Sequence, residues 1–412
     1  MRCNVLDYGA ANDGGRLSHE AINRALADCS AKGGGTVVVP PGRYLCGTIR
    51  LASNVLLELE AGARIVGTDE LDQYAHFYPP ESDEGSLKER WHRCLILAEE
   101  VRDCGIVGAG VIDGAKVFDA LGEEKMRGPH TILAGHSERL LFRDFTVLDS
   151  ANYALLVEYC DDLDFRNLTV KGGWDGIHIR GRKGRDCERI SIVGCDFQTG
   201  DDAIAGRYWK DCIIQNCLIN SSCNGIRVIG PATGLTVEGC LFYGHGRYPH
   251  ITFGRTKSLA GILLQPGSWD PTEGRLDGVV LANNTMRDLQ CALAVYVKQG
   301  NQAGRIVVDG LKATGIYQAA CSFESWAEAP IGSVVLRDVA IDYSAEAVSE
   351  EVIELETQPH VGVRPLPGWG LYLRRVGRVR LDNVRMTIEG EDARPAFFEH
   401  EVGEVSRRAS EL

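Results

Sequence analysis

The sequence predicts an all-β solenoid: one elongated stack of coils, with a single helix covering its first coil. Three observations predict it. Between Gly173 and Arg227 three segments nearly repeat one another: Trp174-Asp175-Gly176-Ile177-His178-Ile179, then Asp201-Asp202-Ala203-Ile204-Ala205, then Cys223-Asn224-Gly225-Ile226-Arg227-Val228. Aligned on the Ile, they bring Asp175, Asp202 and Asn224 to one equivalent position, 27 and 22 residues apart, a period typical of stacked repeats. Short apolar, strand-like units recur almost to the C-terminus, with Gly, Asn or Asp at the breaks. The 48 glycines suit a fold with many tight turns.

Taken in order, Asn4-Val5-Leu6-Asp7-Tyr8-Gly9-Ala10 reads as a strand and a polar Gly turn. Ser18 stands where it can cap a helix over about 19–31, in which Ala21, Ile22, Ala25, Leu26 and Cys29 share one face. A helix there would cover the open end of the stack, an edge that otherwise invites aggregation. Gly33-Gly34-Gly35 ends it, and Thr36-Val37-Val38-Val39 before Pro40-Pro41-Gly42 reads as a buried strand. Further strand units are 55–59, 106–108, 140–142, 154–157, 190–192, 213–214, 235–237, 279–281, 306–308, 334–336 and 379–381. Two stretches break the pattern. Residues 69–93 are polar and aromatic, with Tyr74, His76, Phe77, Tyr78, Trp91 and His92; residues 244–258 hold Gly244-His245-Gly246-Arg247-Tyr248-Pro249-His250. Both read as loop excursions, the kind of element that carries function on a rigid scaffold. Acidic 345–356 reads as a solvated loop, and no linker divides the chain, so one domain over 1–412 is expected.

Composition narrows the class. Hydrophobic content of 44% and charged content of 25% are those of a folded protein. A net charge of -13 argues against a nucleic-acid partner, and no run of about 18 apolar residues suggests a membrane span. The start runs straight into domain-like sequence, and fourteen Cys then suggest free thiols and a cytoplasmic setting. Cys195, Cys217 and Cys240 recur at 22 and 23 residues, as a column of small buried thiols would. Paired Cys-x-x-Cys units are missing, so no metal is expected.

If the coils stack as parallel strands, equivalent residues lie roughly 4.8 Å apart. Asp175 and Asp202 would then stand side by side, with Asp201 one residue upstream. Like charges that close raise at least one pKa, which makes a purely structural role expensive. Glycosidic cleavage needs a proton for the leaving oxygen and a carboxylate to activate water, and three acids supply both. Asp175 and Asp202 could grip one water, leaving Asp201 as the acid. Adjacent acids also make plain polar turns, as at Asp161-Asp162, and clustered carboxylates also suit calcium.

The chain resembles glycoside hydrolase family 28, the polygalacturonase-like enzymes. The resemblance rests on Asn4–Ala10, on Gly33–Gly42, on Gly110-Val111-Ile112-Asp113-Gly114, on Gly173-Trp174-Asp175-Gly176 and on Gly200-Asp201-Asp202. It implies a single-stranded right-handed parallel β-helix and hydrolysis with inversion, Asp201 as acid and Asp175 with Asp202 holding water. No cofactor is implied. The chain departs from the family's motifs at Asn224, where a His is usual, and at Leu263 and Gln265, where an Arg and a Lys are usual. Without those cations, a neutral or mixed glycan is expected over plain polygalacturonate.

Residues expected to hold the sugar follow from the same coils. Three along from the aligned position come His178, Ala205 and Arg227; five along come Arg180, Arg207 and Ile229. The Arg residues could hold a carboxylate in two-point fashion, or could offset the acids. Trp174, Trp269 and Tyr296 offer flat faces to a sugar, and Asn224 and Gln265 can hydrogen-bond it. The expected partner is therefore an oligosaccharide, and the expected activity an exo-acting glycosidase on pectin-type fragments. A polysaccharide lyase or a carbohydrate-binding β-helix without catalysis are the rival readings.

Overall fold

The structure, a computed structural model, describes residues 1–78, 92–360 and 362–411. The chain falls into two compact units: Met1–Gly181 with Cys187–Thr199, and Arg182–Asp186 with Gly200–Leu412. Each is a parallel β-helix in its own right. In the first, Ile96, Ile132, Leu155 and Ile177 stand in register on four successive parallel strands. The second runs from Ile204 through Ile226 and Ile262 to Leu293 in the same way. These columns are wholly buried, which is why the aligned Ile of the repeats marks the coil interior: alternate residues of a strand point to opposite faces.

The helix spans His19–Ala31, and the five expected apolar residues are buried together with His19. Ser18 stands at the cap, but its hydroxyl is used elsewhere, accepting from the Ala11 N–H and donating to the Ala11 carbonyl, each at 3.0 Å. The helix lies against the strands Gly35–Val39 and Ile49–Arg50 and so covers the first coil. The strand expected within Asn4–Ala10 is instead a 3-10 turn over Val5–Tyr8, and the opening strand lies before it. That strand covers Arg2–Asn4, and Asn4 then caps the 3-10 turn, its side chain accepting from the Leu6 N–H at 2.9 Å.

The unit 55–59 is found as read, and most others in longer form, such as Glu138–Arg143, Cys187–Val193 and Ala232–Glu238. Of the first excursion, Tyr74 and Phe77 are buried, as is His92 at its far end, while Trp91 lies outside the described residues. The second excursion connects the strands Leu241–Tyr243 and Ala260–Leu264. In the acidic stretch, Glu356 pairs with Arg364, which also holds the buried Glu324. All fourteen cysteines are buried and unbonded to one another. Burial pushes the thiols of Cys104 and Cys291 up to about 12.

Candidate active site

In the first unit, the strand Ile177–Arg180 sets His178 opposite Leu156 and Arg180 opposite Glu158. The turn before it carries Trp174 and Asp175. Its Gly173 has φ +70, and a Cβ there would fall 2.8 Å from the Ser150 carbonyl oxygen, so the close approach requires glycine. Asp175 Oδ2 lies 2.6 Å from His178 Nδ1, both side chains buried. The His178 ring stacks on Tyr153 at 4.6 Å, nearly coplanar. Trp174 is not open to a ligand: it is buried in an apolar cluster, and the Arg127 guanidinium sits 3.5 Å over its ring. Arg180 lies 5.9 Å from the Tyr153 ring. Burial alone would lower its pKa, yet the balance is upward because Tyr153, Glu158, Glu123 and Asp175 surround it.

In the second unit, Asp201 and Asp202 occupy the bend before the strand Ile204–Arg207. The Asp202 N–H donates to Asp201 Oδ1 at 3.1 Å, and Ser221 Oγ donates to the Asp201 carbonyl at 2.6 Å. Asp202 is 3% exposed. Its Oδ1 accepts from both the backbone N–H of Asn224 (3.0 Å) and Asn224 Nδ2 (2.7 Å), and Arg227 Nη1 approaches Oδ2 at 3.4 Å. Burial raises the Asp202 pKa, Arg227 opposes the rise, and the Asp201 charge adds to it. Asp201 is more open, and His250 Nε2 stands 3.6 Å from its Oδ2. Two adjacent carboxylates thus have unlike surroundings, one sealed and held, the other partly solvated.

The remaining expected contacts divide sharply. Ala205 and Arg227 stand in register, as the spacing predicts, and Leu263 and Ala294 continue the row. Trp269 is 61% exposed, with the Arg227 guanidinium 4.9 Å from its ring. Arg207 pairs with Asp270. Gln265 is fully buried, its backbone N–H bonded to the Val228 carbonyl at 2.7 Å. Tyr296 is sealed in a cluster with Leu263 and Ala294, under Arg364 at 5.2 Å. Trp174, Gln265 and Tyr296 are therefore packing residues in this structure, because neighbouring side chains cover the faces expected to meet a sugar.

Two groups beside the acids were not predicted. His250 comes from the second excursion. Cys223 places its Sγ within 4.8 Å of carboxylate oxygens of Asp201 and Asp202, close enough for a shared ion. Burial, then the two carboxylates, hold this thiol well above its usual pKa, and Arg255 Nη2 lies 3.2 Å from the sulfur. Calcium takes about six to eight oxygens. Two carboxylates and a protonated thiol, flanked by the guanidinium groups of Arg227 and Arg255, make a poor match to it. The sequence signal for His250 was only that 244–258 departs from the coil pattern.

Residues 130–329 match a family model described as a right handed beta helix region, and residues 2–58 one described as rhamnogalacturonase A/epimerase, pectate lyase-like. The chain is a right-handed parallel β-helix protein. It is 26% identical over 263 residues to an exopolygalacturonase of Platanus acerifolia (58% of this chain, 64% of that one), and 26% identical over 188 residues to rhamnogalacturonase A of Aspergillus niger (43% and 37%). An exopolygalacturonase structure from Thermotoga maritima superposes with a TM-score of 0.65 at 16% identity, over 95% of this chain and 92% of that one, and shares the fold. The matches span less than two thirds of the length of the sequence relatives. Over these stretches the chain is similar to polygalacturonases and rhamnogalacturonases.

Proposed function

We propose that the protein is a glycoside hydrolase that cleaves pectin-type oligosaccharides from chain ends by single displacement with inversion. The observation that carries the reading is the inequality of Asp201 and Asp202. Hydrolysis needs one carboxyl that can reach the leaving oxygen and another fixed where it can meet the water, and one proton shared by the close pair serves the first. Asp202 is buried and gripped by Asn224 and Arg227, whereas Asp201 reaches solvent and has an imidazole beside it. In this reading Asp201 gives its proton to the leaving oxygen, while Asp202 orients and deprotonates the attacking water. End-on attack is supported by kinship with an enzyme named exopolygalacturonase. The substrate is an oligosaccharide of galacturonic acid, rhamnose or galactose.

The test is incubation with a panel of pectic oligosaccharides, both uronate-terminated and neutral-terminated, followed by proton NMR. Single displacement is expected to release product first in the inverted anomeric form. A retained anomer rules out inversion. A new double bond, seen by its ultraviolet absorbance, makes the protein a lyase, and binding without turnover makes it a carbohydrate-binding β-helix.

A further inference from the structure

We propose that His250, delivered by the loop 244–258, is the positioning residue of Asp201 and supplies the imidazole that the coil itself lacks at Asn224. The inference rests on the proposed glycosidase reading. Asn224 faces Asp202, and an amide there can donate hydrogen bonds but cannot exchange a proton near neutral pH. An imidazole reaches the other acid from elsewhere in the chain: His250 Nε2 lies 3.6 Å from Asp201 Oδ2. Apo contacts of this kind commonly tighten once substrate excludes water.

The loop is built to hold that ring in place. Its base is clamped to the coil that carries Asn224. Asn220 Nδ2 donates to the carbonyls of Tyr243 (2.8 Å) and His245 (2.9 Å), and its Oδ1 accepts from the Arg247 N–H at 2.7 Å. Gly246 packs so closely on Ser222 that a Cβ would fall 2.0 Å from the hydroxyl oxygen. Within the loop, the His250 N–H donates to the Arg255 carbonyl at 2.9 Å, and the His250 carbonyl accepts from the Gly254 N–H at 2.7 Å. Arg255 Nε then donates to the Ser222 carbonyl at 3.2 Å. Phe253 leans on the imidazole at 4.9 Å, and the ring itself is buried. A surface loop with no task at Asp201 has no need of clamps on Asn220, Ser222 and Cys223 together.

The chemistry follows from the pairing. An imidazole N–H directed at Asp201 Oδ2 fixes the plane of the carboxyl and leaves the proton on its other oxygen available to the leaving oxygen. After that proton has gone to the leaving oxygen, the imidazole offers a route by which a solvent proton returns to the carboxylate. The charged or titratable groups around the pair are Asp202, Cys223, Arg227 and Arg255.

His250→Gln keeps hydrogen-bonding capacity and removes the titratable proton. With a pectic oligosaccharide that the unsubstituted chain cleaves, kcat should fall about tenfold or more, KM should stay within about twofold, and the pH profile of kcat should change shape. His245→Gln, in the same loop, serves as the control and should leave kcat unchanged. A His250→Gln kcat within about twofold of the original overturns the proposal. An activity-independent arm separates this from failure of the glycosidase reading: the ring nitrogen resonances of His250 should move in Asp201→Asn, while those of His19 should not. A His250 signal unmoved by Asp201→Asn overturns the pairing, whatever the protein hydrolyses; a moved signal in a protein that cleaves no glycan upholds the pairing and sinks the glycosidase.

Discussion

Arg227 is the most informative single side chain to change. Its Nη1 stands 3.4 Å from Asp202 Oδ2, and the two side chains are 15% and 5% exposed. A hydrogen bond to a charged partner contributes about 1.5–3 kcal/mol, and this long one belongs at the low end. Arg227→Gln should therefore raise the Asp202 pKa further. The sign is upward because the guanidinium favours the ionised carboxylate and opposes the burial that already raises it.

If Asp202 must be ionised to activate water, the acid limb of the kcat/KM profile moves to higher pH. On that limb, activity at a fixed acidic pH should drop about tenfold and recover as pH rises. Stability should follow the same group. A carboxyl whose folded pKa is raised contributes stability below its unfolded pKa and loses it as pH rises through the folded value. The substitution pushes the folded value further up, so the loss in Tm should be larger at neutral pH than near pH 4. The assay is a paired pH–rate and pH–Tm series. A pH–rate profile that superimposes on that of the unsubstituted chain would refute the coupling of Arg227 to Asp202.

Three further changes test other parts of the site. Asp202→Asn should cost about a hundredfold or more in kcat while leaving Tm at neutral pH equal or higher, because a buried, desolvated charge is removed; a large fall in Tm would make Asp202 structural. Arg364→Leu should lower stability at neutral pH by about 3–5 kcal/mol in urea unfolding, since it strands the fully buried Glu324 that Arg364 holds at 2.8 and 3.2 Å. Adding Glu324→Gln should recover part of it, and no recovery would locate the damage elsewhere. Asp270→Ala should free Arg207 and lower KM for a uronate-terminated oligosaccharide several-fold while leaving a neutral one unchanged; equal effects on both would remove Arg207 from carboxylate recognition.

The coils were legible because one physical rule governs both levels. A buried column needs the same residue type at the same phase of every turn, so the Ile of the three repeats announced both the period and the register of Ile204 with Ile226. The helix was legible for the same reason, as its apolar face is written at helical spacing. What the sequence hid were contacts made by chain that leaves the coil. His250 meets Asp201 only because Asn220 and Ser222 fold the excursion back. Arg127 covers Trp174, and Arg364 covers Tyr296. Neither cover has a periodic signature, so exposed aromatics were expected where packed ones are found.

The same covering contacts bear on the choice of sugar. At Leu263, where the family's motif carries a cation, this chain has an apolar side chain packed with Tyr296 and Ala294. A carboxylate pushed into that position would lose its water and gain no charge in return. Of the arginines on these coils, Arg207 and Arg227 each already have a carboxylate. Arg227 is committed to a buried one, and breaking that pair would strand Asp202 inside the fold. Arg207 is committed to an exposed one, Asp270, and an exposed pair is worth only about 0–1 kcal/mol. A uronate can displace Asp270 at little cost and cannot displace Asp202 without disabling the carboxylate proposed to activate water. Recognition of an acidic sugar, if the proposed hydrolase performs it, therefore runs through Arg207; with Arg207 left to Asp270, the subsite beside Leu263 selects a neutral one.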